Sequence, residues 1–318
     1  MDLKKAVRKA FKNGRQNVKE DTDFKARAHS IFRGMSFKIY QARRFEGRGA
    51  EERDERVVEE SALEVRVNGK PFTVTLRMPG ADPELIRGLL FAEALVETPE
   101  DILSMTQAPG KPGASVWDVT LKPREAASQK VVDSKLSNRS LASTSSCGFC
   151  GKMAWDETEP AGLCLTDSGT EPAPLTPAFL EACFAALQAR QDVFGSTGGS
   201  HAAAVFSASG ELLAMGEDVG RHNAVDKAVG ILWQQGRLAE GTLLCVSGRV
   251  SYEIVSKTLR AGFPVLAAVS APSSLAVEFC RDNGITLIGF CRGERATVYA
   301  HPERLAADRD TLALQENT

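Results

Sequence analysis

The sequence predicts an α/β fold preceded by a smaller α+β subdomain. Three observations carry this. From His201 to Phe290, short apolar runs alternate with helical stretches of roughly ten residues, the pattern of a largely parallel sheet covered on both faces. From Leu63 to Leu121 the periodicity differs: apolar residues alternate with polar ones, turn, and alternate again. The predicted parallel strands all run out into Gly, Ser and Arg, so the first pattern comes with a row of polar strand ends.

Each element has a local reason. Residues 1–60 read as a basic, partly disordered extension. Leu3, Ala6, Val7, Ala10 and Phe11 recur at helical spacing among lysines and arginines, and Glu46 to Glu60 is dense in charge. Residues 61–140 form the α+β subdomain. Leu63, Val65 and Val67 alternate with charged residues, Asn68-Gly69 turns the chain, and Phe72, Val74, Leu76 and Met78 alternate again, as in an antiparallel hairpin. Asp82-Pro83-Glu84 then reads as N-cap, first helical residue and first-turn acid of a helix carrying Leu85, Ile86, Leu89 and Leu90. Trp117, Val119 and Leu121 mark a further strand.

Residues 141–155 read as a mobile thiol loop, 156–305 as the α/β domain and 306–318 as a tail. In the α/β domain Thr176-Pro177 opens a helix, and His201–Phe206 turns through Ser209-Gly210 into Leu212–Met215. Helix Asn223–Trp233, strand Leu243–Val246, helix Tyr252–Arg260, strand Pro264–Val269, helix Ser274–Arg281 and strand Ile285–Phe290 follow.

Composition narrows the class. The 318 residues are 43% hydrophobic with a net charge of −2, so no global field favours nucleic acid or a membrane surface. Seven cysteines are an odd number, and Cys183, Cys245 and Cys280 fall inside apolar patterns, as expected of reduced, buried thiols in a cytoplasmic protein. No apolar run reaches the roughly 18 residues of a membrane span. The basic N-terminus is not followed by the apolar core and cleavage site of a secretory signal.

The run Ser143-Thr144-Ser145-Ser146-Cys147-Gly148-Phe149-Cys150-Gly151 holds two thiols three positions apart among small polar residues and glycines. Thiols that only pack prefer apolar surroundings, so this pair points to chemistry. As a structural zinc site it lacks half its ligands. As a thioredoxin-like redox pair it has the right spacing but no preceding strand. As a sulfur relay it offers an accessible nucleophile on an arm freed by glycine. Spacing alone does not rank the last two.

In open parallel sheets, ligands bind beyond the carboxyl ends of the strands. Those ends are Ser247-Gly248-Arg249, Ser270-Ala271-Pro272-Ser273-Ser274 and Phe290-Cys291-Arg292-Gly293-Glu294-Arg295. They supply hydroxyls, guanidiniums and two helix N-termini, which together suit phosphate oxygens. A second polar cluster holds His201, after Gly198-Gly199-Ser200, and His222, inside Glu217-Asp218-Val219-Gly220-Arg221-His222-Asn223. Either imidazole is a candidate general base or ligand.

Taken together, Ser146–Gly151, Gly198–Ala203, Glu217–Lys227, Ser247–Arg249 and Ser270–Ala276 resemble the formate dehydrogenase accessory sulfur carrier proteins (FdhD type), over residues 55 to 305. The resemblance implies a cytidine-deaminase-like layered sheet with helices on both faces. It implies a sulfurtransferase that accepts persulfide sulfur from a cysteine desulfurase on Cys147, with Cys150 as partner thiol. The sulfur goes to the molybdenum (or tungsten) bis-molybdopterin guanine dinucleotide cofactor of formate dehydrogenase, for which guanine nucleotides such as GDP are mimics. Phe290, Cys291, Arg292, Gly293, Glu294 and Arg295 map onto the family's cofactor segment. The strand-end residues Ser247, Gly248, Arg249, Ser270 and Ser273, with His201 and His222, complete the expected site. A cytoplasmic homodimer is implied as well. A zinc deaminase needs His-x-Glu and Pro-Cys-x-x-Cys, whereas Ala202 and Ala203 follow His201 and Ser146 precedes Cys147, so no deaminase metal is expected. A thiol–disulfide oxidoreductase, or a cofactor chaperone without sulfur chemistry, remain the alternatives.

Overall fold

The computed structural model describes residues 36–109, 114–123, 175–293 and 295–306. The thiol loop with Cys147 and Cys150, residue Glu294 and the N-terminal basic stretch lie outside them. The chain first forms β1 (Phe37–Glu46) and β2 (Gly49–Val58), an antiparallel ribbon in register along its whole length. This corrects the reading of Glu46 to Glu60 as poorly ordered chain. The ribbon is exposed on both faces, so no apolar alternation betrays it.

Strands β3 (Ser61–Val67) and β4 (Lys70–Arg77) follow as expected. Asn68 and Gly69 take φ of 50° and 76°, the double positive φ that a two-residue hairpin turn requires. Helix α1 (Asp82–Ala92) comes next, but its cap is Ala81 rather than Asp82. Asp82 has other work: its carboxylate grips the buried Arg77 guanidinium through two 2.7 Å bonds. Strands β5 (Ile102–Ala108) and β6 (Ala114–Leu121) complete a four-stranded sheet in the order β4-β3-β6-β5. Sequence reasoning passed over β5.

Helices α2 (Pro177–Gln188) and α3 (Asp192–Thr197) lead into β7 (His201–Phe206) and β8 (Leu212–Asp218). Thr176 caps α2, its Oγ1 accepting from the Phe179 N–H at 3.1 Å. Then come α4 (Arg221–Gln234), β9 (Leu243–Val246), α5 (Tyr252–Arg260), β10 (Val265–Ala268), α6 (Ser274–Asp282), β11 (Thr286–Arg292) and β12 (Arg295–Ala300). The six-stranded sheet runs β12-β11-β10-β9-β7-β8. Only β9, β10 and β11 are mutually parallel; β7, β8 and β12 pair antiparallel with their neighbours. The sheet is therefore mixed, not largely parallel. An apolar run shows that a strand is buried on both faces but does not show its direction.

Residues of the central strands divide by parity between two cores. Ala204, Cys245 and Ala267 pack under α2, whereas Val205, Leu244 and Leu266 pack under α4, α5 and α6. The second core continues into α1 and the four-stranded sheet through Leu63, Leu85, Ile86 and Leu90. Helices α1 and α4 meet backbone to backbone. A Cβ on Gly88 would lie 1.9 Å from the Asp226 carbonyl oxygen, and one on Gly230 2.0 Å from that of Glu84. Only glycine fits both positions.

Candidate functional site

The strand directions assemble one rim. The carboxyl ends of β9, β10 and β11 lie along one edge of the six-stranded sheet because the three are parallel. Strand β7 runs the other way, so its first residue, His201, arrives at the same edge, opposite Asp218 at the end of β8. The rim therefore collects His201, Ser247, Gly248, Arg249, Ser270, Phe290 and Arg292. Three strand spacings separate β7 from β11, about 14 Å. His201 and Arg292 thus mark two ends of one elongated site.

At the histidine end the packing is close. A Cβ on Gly248 would lie 3.3 Å from His201 Nδ1 and 3.5 Å from the Arg221 side chain, so the glycine lets both reach the strand end. Burial, then the positive charges of Arg221 and Arg249, lower the His201 pKa against the pull of Asp218. His222 is 7% exposed, and burial followed by Arg221 and Lys257 lowers its pKa to about 3. Both imidazoles are neutral at physiological pH. His222 Nε2 lies 3.1 Å from Ser251 Oγ and 3.4 Å from the Glu253 carboxylate. Glu253 lies 3.5 Å from Lys257 Nζ, which is 2.7 Å from Asp226. A chain of four ionisable side chains, three of them buried, thus ends at the rim.

At the arginine end, Phe290 holds φ at 54° and is 43% exposed. A bulky residue in the left-handed region is strained, and such strain clusters at functional sites. Phe290, Arg292, Arg295, Ala296 and Thr297 line a cleft of about 530 Å³. A neighbouring cleft of about 320 Å³ opens between Arg292, Gly293 and Arg295 on one side and Leu180, Glu181 and Phe184 of α2 on the other. Arg292 Nε donates to the Val269 carbonyl at 3.3 Å, which anchors its base while the side chain stays exposed.

The expected residues divide by what they do. Arg249, Phe290, Arg292, Gly293 and Arg295 are exposed at the rim. Ser247 and Ser273 bind backbone instead: Ser247 Oγ accepts from the Ala202 N–H at 2.9 Å, and Ser273 Oγ caps α6 by accepting from the Ala276 N–H at 3.3 Å. The Ser270 carbonyl accepts the Phe290 N–H at 3.2 Å and so ties two rim loops together. Cys291 is 5% exposed at the floor of the smaller cleft, and burial pushes its thiol up to about 11. It is a packing thiol, not a nucleophile at neutral pH.

Sequence reasoning did not select Arg221, Glu253 or Lys257. Arg221 carried a usable signal. It is the first residue of α4, where the helix dipole disfavours a cation, so its presence there points to another charge partner. Glu253 and Lys257 carried none, since only the fold brings α5 against His222 and Asp226.

Comparison with known proteins agrees with these motifs. A profile of the FdhD/NarQ family matches residues 58–306. The protein named sulfur carrier protein FdhD of Mycobacterium bovis is 43% identical over 262 residues, covering 80% of this chain and 92% of its own. That of Streptomyces avermitilis is 43% identical over 257 residues, covering 80% and 90%. The crystal structure of a Desulfotalea psychrophila protein assigned as a formate dehydrogenase accessory protein superposes with a TM-score of 0.63 at 21% identity, over 85% of this chain and 99% of that one. That likeness concerns the fold. Among the described residues no helix is long and apolar enough to cross a membrane. With the family profile spanning most of its length and its relatives matched nearly end to end, this chain belongs to the FdhD/NarQ family.

Proposed function

We propose that the protein is a sulfur carrier for formate dehydrogenase, and that it works as a sulfurtransferase. The supporting observation is the rim itself. Arg249, Arg292 and Arg295 stand exposed along it, Arg221 is close behind, and Phe290 offers a ring beside a cleft of about 530 Å³. Guanidinium forks suit pyrophosphate, and an exposed ring suits a base. A rim about 14 Å long matches an extended nucleotide cargo better than a small anion. The cargo in this reading is the bis-molybdopterin guanine dinucleotide cofactor of molybdenum or tungsten.

Sulfur enters at Cys147. Its thiolate attacks the outer sulfur of a desulfurase persulfide, the desulfurase thiolate leaves, and Cys147 keeps the sulfur as its own persulfide. Attack by the Cys150 thiolate on the inner sulfur then expels the outer one as hydrosulfide toward the cargo. The two electrons come from the thiol pair, which becomes a disulfide and returns to thiols through a cellular dithiol reductant. Neutral His201 and His222 at the rim leave the positive charge to the arginines. The proposal extends to a cytoplasmic homodimer, on the family resemblance alone.

The test is complementation of a desulfurase-proficient strain that lacks the accessory activity. Wild type restores formate dehydrogenase and Cys147→Ala does not, while mass spectrometry finds one extra sulfur on Cys147 after incubation with desulfurase and cysteine. Restoration by Cys147→Ala, or a load confined to Cys150, would overturn the assignment. GDP binding lost in Arg292→Gln and Arg295→Gln, with persulfide loading retained, would separate cargo binding from sulfur chemistry.

A further inference from the structure

A third cleft lies away from the rim, on the four-stranded sheet. It measures about 390 Å³ and is lined by Pro83 and Arg87 of α1, Ile102, Leu103 and Met105 of β5, and Trp117 of β6. We propose that this cleft and the outer edge of β5, unpaired among the described residues, receive an extended acidic segment of a partner protein, added as a further strand.

Four observations converge. Strand β5 is the last strand of its sheet, and no strand pairs with its outer side among the described residues. Proteins usually blunt such edges with charge or proline, yet Ile102–Ala108 contains neither. Leu103 on this edge is 59% exposed, although it is a large aliphatic residue. The Trp117 indole Nε1 is buried without a hydrogen-bond acceptor among the described residues. A buried donor left unpaired costs free energy, and a ligand that turns the indole toward its own acceptor removes that cost.

Charge selects the occupant. Arg87 faces the cleft from α1 and pairs with no carboxylate among the described residues. A carboxylate on the incoming segment supplies its counter-ion, and a carbonyl or second carboxylate oxygen accepts from Trp117 once the indole turns toward it. Ile102, Leu103 and Met105 accommodate one aliphatic side chain. Strand addition supplies main-chain hydrogen bonds, and the cleft reads alternate side chains. The occupant is therefore an extended peptide in which an aliphatic residue and an Asp or Glu point the same way. This site is independent of the rim and of the sulfur chemistry.

A display library of random heptapeptides panned on the intact chain tests it. The expected consensus places an aliphatic residue and an acidic residue two positions apart. Fluorescence anisotropy of the selected, labelled peptide should show affinity falling roughly tenfold to a hundredfold in Arg87→Gln, where a charge-assisted bond is lost. Leu103→Glu, a change at an exposed position that leaves folding intact by circular dichroism, should abolish binding by like-charge repulsion. Arg43→Gln on the distant ribbon should leave it unchanged. Panning that yields no acidic consensus, or a peptide that binds Arg87→Gln and Leu103→Glu as tightly as wild type, would overturn the proposal. So would an isolated carboxylate such as succinate competing fully with the peptide, or self-association of the chain that Leu103→Glu removes.

Discussion

Helix α4 carries two buried charge systems, anchored on the adjacent residues Asp226 and Lys227, that behave oppositely. Asp218 and Lys227 form the first, 0% and 2% exposed and 2.7 Å apart. Every bond they make is to fold. Asp218 accepts from the N–H groups of Met78 and Gly220 and from Asn223, and Lys227 donates to the carbonyls of Met78 and Glu217. The pair ties the end of β4 to the end of β8, so it locks the two sheets together. Asp226, Lys257, Glu253 and His222 form the second system. It starts buried at Asp226 and ends at Ser251 and the rim. A closed network fixes architecture; an open one transmits charge and orientation to a site. The difference teaches that a continuous polar motif such as Glu217–Lys227 is not one functional unit. It interleaves a clamp with a rim.

The sharpest break of that comparison is Lys227→Met. It leaves the Asp218 carboxylate buried without a cation, a change that costs about 3–5 kcal/mol. Urea unfolding should register the loss, and GDP binding by the remaining folded fraction should be normal. A loss below about 1 kcal/mol would show that the pair is no clamp.

A smaller effect separates the open system. His222 has its pKa lowered to about 3, mainly by burial, against 6.5 unfolded. The unfolded chain therefore binds the extra proton first. The stability this residue contributes is present above pH 6.5 and is lost as pH falls toward 3, by about 1.4 kcal/mol per pH unit. Between pH 6.5 and 4.5 that amounts to about 2 kcal/mol. In His222→Gln the slope over this range should flatten by that amount in urea titrations. An unchanged slope would mean that His222 is not held neutral.

Much of this was legible in the sequence, and the reasons for the rest are physical. Leu243–Val246 and Val265–Ala268 announce themselves because strands buried on both faces are apolar throughout. The β3–β4 hairpin announces itself through alternation and Asn68-Gly69. Strand β5 does not: its register shifts between Ile102 and Ser104, and Leu103 is exposed where alternation would bury it. The ribbon β1–β2 has no buried face to impose a pattern. For the site, Arg249, Phe290, Arg292 and Arg295 were readable because strand ends can be located from strand runs. The arrival of His201 at the same rim was not, because it depends on β7 running antiparallel to β9. The Glu253–His222 contact joins residues on two helices, and no local spacing encodes it.

The smallest effect belongs to Lys257. Burial pushes Asp226 up to about 7, although the Lys257 ammonium pulls it back. Burial acts against the Lys257 charge too, but Asp226 and Glu253 outweigh it and hold its pKa above the usual lysine value. In Lys257→Met the ammonium is gone, and Asp226 keeps a proton to higher pH. Neutralisation limits the damage, so at pH 6 the variant should lose only about 1–2 kcal/mol, the worth of a charge-assisted hydrogen bond. The sign then shows in the pH dependence. A carboxyl with a raised folded pKa stabilises most below its unfolded value near 4, and that contribution declines as pH rises to the folded value. Wild type levels off near pH 7, whereas the variant keeps declining by about 1.4 kcal/mol per unit above it. Adding Asp226→Asn to Lys257→Met removes the titrating group and should erase the extra slope. If the single variant tracks wild type from pH 6 to 9, the open system carries no charge coupling, and α4 holds two clamps rather than a clamp and a relay.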